Sequence, residues 1–397
     1  NDISCYDYII DGLFGTGLNR DIDGIYLNLI NKIKQHNNII AVDLPSGVRT
    51  DSGRVVNSHI NAKQTVTFTY PKLCHFLGDG YSSTGDLYIY EIGHSTKRLD
   101  DINVHVIEKK DIHRKIKSKD KKTNKYSNSK VITLCGSKKY TGASLLSNIS
   151  AMRAGVKILK KLVPSSLAQI SYKQLEAIDI LIEDDNKGYL DLEKYNDLAP
   201  ELAWSDALLI GPGLDDSNDS IFLISKILSE YLGRCVIDAT AFKTISRGEL
   251  IFDSLPEYSI LTPHEGEFLK ISGVSSDEFH NNTIKVLDDF SKKLYNRILV
   301  LKGPNTIIMN GKGDKFIVSS GNSLLSTAGT GDVLSGIIMA YLSNGYDLLD
   351  SAMIGSYIHA ECSKYLDDQM NDNIIASDLL PIIPKIQYDI RNFMNED

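Results

Sequence analysis

Asp332 closes the run Gly321-Asn322-Ser323-Leu324-Leu325-Ser326-Thr327-Ala328-Gly329-Thr330-Gly331-Asp332 and leads into Val333-Leu334-Ser335-Gly336-Ile337-Ile338. A glycine-rich loop that runs into a helix aims main-chain N–H groups, and the positive end of the helix dipole, at the space ahead of it. That space suits an anion. A carboxylate is repelled by an anion there, so its presence needs a reason. Taking the proton from a hydroxyl that attacks a phosphoryl group is one. Helix capping by Asp332 is the plainer alternative. The residues behind it, Val333 to Leu342, are apolar nearly all round, with Gly336 and Ala340 as a small face, and Ser343-Asn344-Gly345 reads as the helix end. A buried helix with this entrance reads as a site.

Further polar residues stand at the ends of short apolar runs. Val131 to Cys135 runs into Gly136-Ser137-Lys138-Lys139-Tyr140-Thr141-Gly142-Ala143, followed by a helical pattern from Ser144 to about Leu162. Ala207 to Ile210 ends at Gly211-Pro212-Gly213, and Cys235 to Ile237 at Asp238-Ala239. Ile260-Leu261 ends at Thr262-Pro263-His264-Glu265-Gly266-Glu267, and Ile298 to Leu301 at Lys302-Gly303-Pro304-Asn305-Thr306. Short, unbroken, β-branched runs are the pattern of parallel strands buried on both faces. In open parallel sheets ligands bind at the carboxyl ends of strands, so these loops should share one crevice with Asp332. Taken singly, each has a bland reading: turn glycines, a solvated Lys302, a capping His264, a structural His359. Their joint placement favours a site. Ser46 lacks the Gly-x-Ser-x-Gly frame of a hydrolase, and neither a P-loop nor a His-Glu-x-x-His zinc helix occurs.

The first ninety-odd residues carry their own strand and loop pattern. Tyr8-Ile9-Ile10 ends at Asp11 and the loop Gly12-Leu13-Phe14-Gly15-Thr16-Gly17-Leu18, with a helical pattern from about Ile25 to Ile33. Asn38 to Val42 runs into Asp43-Leu44-Pro45-Ser46-Gly47, Thr65 to Thr69 precedes Lys72, and Leu87 to Glu91 is a fourth strand. This order implies parallel strands with right-handed crossovers. One helix for four strands leaves a sheet face uncovered, so this half is expected to be truncated at its N-terminus.

Composition sets the outer limits. A chain of 397 residues with 42% hydrophobic and 24% charged residues suits a globular protein of two domains. A net charge of -8 gives no general attraction to nucleic acid or anionic membrane. Five scattered cysteines without Cys-x-x-Cys spacing fit a reducing cytosol and argue against a zinc or disulfide framework. No apolar run approaches the ~20 residues of a membrane span. From Lys109 to Lys125 nine Lys/Arg stand against two Asp, which reads as a solvated linker between domains.

With those loops in place, the second half resembles the ribokinase-like family of ADP/ATP-dependent NAD(P)H-hydrate dehydratases. The residues that carry the likeness are Gly136-Ser137-x-x-Tyr140-x-Gly142-Ala143, Gly211-Pro212-Gly213-Leu214, Asp238-Ala239, Thr262-Pro263-His264-x-Gly266-Glu267, Lys302-Gly303 and Thr330-Gly331-Asp332-Val333-Leu334-Ser335-Gly336. The first half is similar to the C-terminal part of the NAD(P)H-hydrate epimerase family, through Asp11 with Gly15-Thr16-Gly17 and Asp43-x-Pro45-Ser46-Gly47. Departures exist: Asp215 replaces a second glycine after Gly-Pro-Gly-Leu, Asn124-Lys125-Tyr126 replaces His-Lys-Gly, and Ala328 replaces a glycine.

The resemblance implies an α/β chain: a ribokinase-like three-layer αβα domain with a mostly parallel sheet over 125–395, preceded by a truncated Rossmann-like domain over 1–93 and a basic linker over 94–124. It implies ADP-dependent dehydration of NAD(P)H hydrate, with ATP as the second choice of donor and Mg²⁺ shielding the charge. Asp332 is then the base. Ala143, Gly213, His264, Gly266 and Glu267 hold the hydrate with it. Lys302, Gly303, Pro304, Asn305 and Thr306, with Asn322, Thr327, Gly329, Thr330 and Gly331, hold the nucleotide, the N–H groups of Thr330 and Gly331 receiving the phosphoryl group. In the first half, Gly15, Thr16, Gly17, Leu18, Asn19, Arg20, Asp21 and Asp43 match substrate positions, and Asp11 and Ser46 match positions that bind K⁺. A cytoplasmic homo-oligomer acting on small molecules, away from nucleic acid and membrane, completes the expectation. A small-molecule kinase of the same fold and a non-catalytic scaffold are the rival readings.

Overall fold

The computed structural model describes residues 3–18, 20–93, 102–117, 130–369 and 372–393. They fall into two compact units. One takes residues up to Ile102 together with Val274–Asp289, and the other takes Asn103–Gly273 and the chain from Phe290 onward.

The first unit contains four parallel strands in sequence order: β1 (Ile9–Asp11), β2 (Ile39–Val42), β3 (Gln64–Phe68) and β4 (Asp86–Tyr90). Successive strand residues point to opposite faces, and the pattern shows here. Ile39, Ala41, Thr65 and Thr67 are buried, and Ile39 packs with Ile30 and Ile33 of the helix Gly24–Ile33. On the other face Ile10, Val42, Tyr88 and Tyr90 are exposed.

The second unit is built on ten strands: β5 (Val104–Val106), β6 (Val131–Leu134), β7 (Leu159–Pro164), β8 (Ile178–Ile182), β9 (Ala207–Ile210), β10 (Arg234–Ile237), β11 (Ser259–Leu261), β12 (Ile298–Leu301), β13 (Thr306–Met309) and β14 (Lys315–Val318). Their spatial order is β5-β14-β13-β12-β11-β10-β9-β6-β7-β8. From β8 to β12 every pair is parallel, and only β13 breaks the direction, against both neighbours. β7 and β9 flank β6 on opposite sides, so the chain leaves β6 one way and returns on the other. That reversal opens a crevice at the carboxyl ends of β6 and β9.

Both faces of this sheet are covered. Val131, Leu159, Leu209, Val236, Ile260 and Val300 join one core with the helices Thr141–Ala154, Thr330–Ser343, Leu348–Asp368 and Ile383–Arg391. The alternate residues Ile132, Leu134, Leu208 and Ile210 are also buried, as is the stripe Ile221, Ile224, Ile227 and Leu228 of the helix Asn218–Glu230. Helices on both faces of a mostly parallel sheet make the three-layer αβα architecture the sequence led us to expect. No helix among the described residues is long and apolar enough to cross a membrane.

The helix behind Asp332 is held at a close crossing. A Cβ on Gly336 would lie 2.0 Å from Ser150 Oγ and 2.2 Å from the Ser147 carbonyl oxygen of the neighbouring helix. Gly336→Ala is therefore expected to destabilise the unit by roughly 1–3 kcal/mol through overpacking, despite the better helix propensity of alanine. Urea unfolding of the variant checks this, and wild-type stability would mean the crossing is looser than it stands here.

Two expectations need correction. The helix expected to reach Leu162 ends at Ala154, because Gly155 takes φ +126° and its N–H donates to the Ala151 and Met152 carbonyls. Val156, Leu159 and Leu162 continue a helix-like spacing past that glycine, yet Leu159–Pro164 is a strand. The basic stretch is also not all linker: β5 and the helix Lys109–Lys115 lie in the second unit. Ile107, Ile112 and Ile116 enter its core, and Lys115 pairs with Asp350 at 2.5 Å. Three buried isoleucines outweigh the surrounding charge. The rest of the expected linker, residues 94–101 and 118–124, lies outside the described residues, as do Asn124-Lys125-Tyr126.

Candidate active site

The crevice between β6 and β9 is stitched by its own loops. Gly136 N–H donates to the Pro212 carbonyl at 2.8 Å, and Ser137 Oγ donates to the Gly213 carbonyl at 2.8 Å. Gly213 has φ +64°, and a Cβ there would fall 2.5 Å from Ala143 Cβ, so glycine keeps this wall of the crevice open. The cavity measures about 360 Å³. Ala143, Gly213, His264, Glu267 and Asp332 line it, with Tyr140, Thr240, Phe242 and Lys243 around them. Of the residues expected to hold the hydrate, only Gly266 is off the wall, where a Cβ would meet the His264 ring at 3.1 Å. His264 also caps the helix Glu265–Ser272: Glu267 N–H donates to His264 Nδ1 and His264 N–H to Glu267 Oε2. His264 thus caps a helix and lines the crevice at the same time.

Asp332 stands in the first turn of the helix Thr330–Ser343, after Gly329 at φ +93°. The N-cap is Gly329, and no hydrogen bond is among the influences on the Asp332 carboxylate. Burial raises its pKa to about 7, Asp238 pushes the same way, and Lys302 pulls it back. The second and third N–H groups of a helix have no partner within it, so those of Gly331 and Asp332 remain open toward an anion. Thr330 differs from expectation. Its N–H donates to the Thr327 carbonyl at 3.3 Å and its Oγ1 to the Leu325 carbonyl at 2.7 Å, because the loop folds back on itself before the helix starts.

Lys302 is placed differently from a free phosphate ligand. Its ammonium donates to Asp238 Oδ1 at 2.7 Å and lies 3.4 Å from where a Gly331 Cβ would be. Burial lowers its pKa, and the carboxylates of Asp238, Glu267 and Asp332 more than offset that, so it stays charged. Gly303, Pro304 and Asn305 form the turn from β12 to β13 beside Lys302, and Thr306 opens β13. Asn322 caps the short turn Ser323–Ser326 and donates to Asp367 at 3.1 Å, while Thr327 Oγ1 donates to the Leu324 carbonyl at 3.1 Å. Asp238 and Ser335 were motif members to which sequence reasoning gave no role. Here Ser335 Oγ donates to Asp238 Oδ2 at 2.5 Å. Their distance in sequence hid the pairing.

The sequence model of the NAD(P)H-hydrate dehydratase family matches residues 131–385, more than half of the chain. The chain belongs to that family. A second match, to the YjeF-related protein N-terminus, covers residues 1–74. Bifunctional NAD(P)H-hydrate repair enzymes from Dictyoglomus turgidum and Escherichia coli are 29% and 25% identical, over 96% of this chain and 74% and 71% of theirs. Among solved structures, a ribokinase-like superfamily protein from Enterococcus faecalis superposes with a TM-score of 0.64 at 20% identity, over 76% of this chain and 99% of its own. An ADP/ATP-dependent NAD(P)H-hydrate dehydratase from Bacillus subtilis, co-crystallised with ATP and Mg²⁺, gives 0.61 at 24%, over 73% and 99%. Both speak for the fold. Dehydratase and epimerase-type parts fused in one chain weaken the kinase and scaffold readings.

This dehydratase carries a second polar cluster in its first unit. Asp11 ends β1, and its carboxylate accepts from Ser46 N–H at 2.8 Å, Ser46 Oγ at 2.6 Å and Leu13 N–H at 3.3 Å. In the loop that follows, Thr50 Oγ1 donates to the Thr16 carbonyl at 3.2 Å. Leu18, Arg20 and Asp21 are described, and Asn19 lies outside the described residues. Asp43 takes φ +71°, uncommon for a non-glycine residue, and such strain gathers at functional positions. Lys72 Nζ donates to Asp43 Oδ1 at 2.5 Å and Thr67 Oγ1 to the same oxygen at 2.8 Å. Burial raises the Asp43 pKa, but Lys72 and Thr67 outweigh it and hold the group below its usual value. Sequence reasoning gave Lys72 and Thr67, which both contact Asp43, no role. A lysine just beyond the carboxyl end of a parallel strand was the available signal.

Proposed function

We propose that this chain dehydrates NAD(P)H hydrate with ADP as phosphoryl donor, ATP being the alternative, and that Asp332 is the base. The single observation that carries the reading is the Asp332 carboxylate: half-buried in the crevice wall, without a hydrogen-bond donor, at an open helix N-terminus, with a pKa raised to about 7. A base poised near neutrality is what proton abstraction from a hydroxyl requires. The hydrated ring sits between Ala143, Gly213 and the His264–Glu267 loop with its hydroxyl on Asp332. The terminal phosphoryl group meets the open N–H groups of Gly331 and Asp332, and the nucleotide runs along Lys302–Thr306 and Asn322–Gly329.

As the hydroxyl oxygen bonds to phosphorus, its proton passes to Asp332 and the bond from phosphorus to AMP breaks. The phosphate ester then leaves as the ring C–O bond breaks and a neighbouring ring carbon gives up a proton, which restores the dihydropyridine. Mg²⁺ arriving on the nucleotide supplies charge neutralisation. It is commonly held through phosphates and water, which needs no cage of protein ligands, and no such cage occurs among the described residues.

The first unit is read as the epimerase-like half, with K⁺ at Asp11 and Ser46. The oxygens fit in type: the Asp11 carboxylate and the Ser46 hydroxyl lie side by side, and a hard cation takes oxygen ligands. Four buried thiols, Cys74, Cys135, Cys235 and Cys362, suit the reducing cytosol, where we place the chain.

The test is direct. Purified protein, ADP and hydrated NADH should regain the near-ultraviolet absorbance of the reduced nicotinamide, with one AMP and one phosphate per NADH. A kinase would consume ADP and stop at a phosphorylated product without the absorbance, which would overturn the reading.

A further inference from the structure

Asp238 takes no part in the steps above, yet it is 1% exposed and touches everything behind the base. Its carboxylate accepts from Lys302 Nζ at 2.7 Å, Ala239 N–H at 2.9 Å and Ser335 Oγ at 2.5 Å. Ser335 Oγ also lies 3.0 Å from the Gly331 carbonyl oxygen, so the contact reaches the turn that carries Asp332. The surrounding backbone is shaped to hold this carboxylate. Ala239 has φ +50°, a left-handed conformation that alanine rarely adopts, and the Asp238 side chain holds its N–H. Gly211 has φ +122°, and a Cβ there would fall 1.8 Å from the Asp238 carbonyl oxygen. Only glycine lets the β9 loop close on this position.

Resting on the dehydration reading, we propose that Asp238 is a positioning residue for the base: it anchors Lys302 behind the Thr330–Gly331 turn and keeps that ammonium from pairing with Asp332. The charges around Asp332 make the consequence definite. Cys135 follows β6, Asp238 follows β10, Lys302 follows β12, and Glu267 comes from the helix Glu265–Ser272; His359 of the helix Leu348–Asp368 meets the Thr330 main chain. At the rim, His264 pairs with Glu267 and Lys243 with Asp216. Cys135 and His359 stay neutral, the thiol raised by burial and the imidazole lowered by it to about 4. Of these groups, Lys302 is thus the one cation between Asp238 and Asp332. Removing the Asp238 charge removes a repulsion from Asp332 and frees Lys302 to pair with it, and both changes favour ionised Asp332.

The experiment is a carboxyl ¹³C titration of the nucleotide-free full chain, with the Asp332 signal assigned from Asp332→Asn. In Asp238→Asn the Asp332 midpoint should fall by about one pH unit or more. The acid limb of kcat/KM should move the same way, and kcat should fall because the base is weaker. An unmoved midpoint overturns the proposal, since a purely structural aspartate would not shift it. The titration needs no turnover, so a shifted midpoint in a protein that fails to dehydrate the hydrate would sink the reaction reading alone. Should Asp238→Asn not fold, Ser335→Ala carries the test. It keeps the charge, cuts the tie to Gly331 and should lower kcat about tenfold at constant KM; an unchanged kcat overturns the proposal.

Discussion

Asp332→Asn should lose turnover by about 10²–10⁴-fold, the usual worth of a general base, while keeping its fold. Nucleotide affinity should hold or rise, because a negative charge near the phosphates has gone. The wild-type kcat/KM should climb through an apparent pKa near 7 as Asp332 ionises, and the variant should lack that limb. Stability gives an independent check. The folded pKa of about 7 lies above the ordinary value of 3.8, so the folded protein binds the proton more tightly than the unfolded chain. That contribution is fully present below 3.8 and is lost as pH rises through 7. Above 7 the half-buried, ionised Asp332 costs stability, on the order of 4 kcal/mol at most at about 1.36 kcal/mol per pH unit. A neutral amide at this position would not carry that cost, so the variant should melt higher than wild type at about pH 8 and show little advantage at about pH 4. The capping alternative predicts the reverse, with chemistry intact and ~0.5–2 kcal/mol lost when a cap is removed outright. Near-wild-type turnover would end the mechanism.

What the sequence made legible follows from which interactions are local. The strands β6, β9, β10, β11 and β12 could be found because each is a short apolar run cut off by a polar or glycine-rich loop. Their loops meet because the carboxyl ends of parallel strands share one edge. Asp332 stood out since a carboxylate at a glycine-rich helix entrance is chemically conspicuous. Long-range pairing was not legible. Nothing near Lys302 in sequence says that its ammonium turns to Asp238, and nothing near Ser335 says that its hydroxyl does. The strands β5, β13 and β14 depend on one another: β14 pairs with β13 on one side and β5 on the other, and Lys315–Ile317 lies in register with Val104–Val106. No local pattern announces a strand whose partner is more than two hundred residues away. The stretch from Lys109 misled for the opposite reason, since a count of lysines hides the spacing of Ile112 and Ile116.

Lys302→Met should be the most damaging substitution to the fold around the site. Methionine keeps much of the length and apolar stem of lysine, so the change isolates the charge. It leaves Asp238 without its ion-pair partner and Glu267 and Asp332 without the positive charge that offsets them, and Asp238 is 1% exposed. Breaking a buried pair by removing one partner costs roughly 3–5 kcal/mol, because the remaining charge is left uncompensated. The sign of the pH dependence follows. Lys302 lowers the pKa of both Glu267 and Asp332, so without it both rise further above their ordinary values. Groups whose folded pKa is raised lend stability at low pH and lose it as pH climbs, so the deficit relative to wild type should be small near about pH 5 and large at about pH 8. Activity should fall most near neutrality, where more of Asp332 stays protonated, and recover in part at higher pH for as long as the variant remains folded. Urea unfolding at the two pH values, with a pH–rate profile, separates this from the view that Lys302 simply grips a phosphate. A phosphate grip predicts a raised KM for ADP at every pH and no change in unfolding. Equal stability of Lys302→Met and wild type at the higher pH would show that Lys302 is not the counter-ion on which these three carboxylates depend.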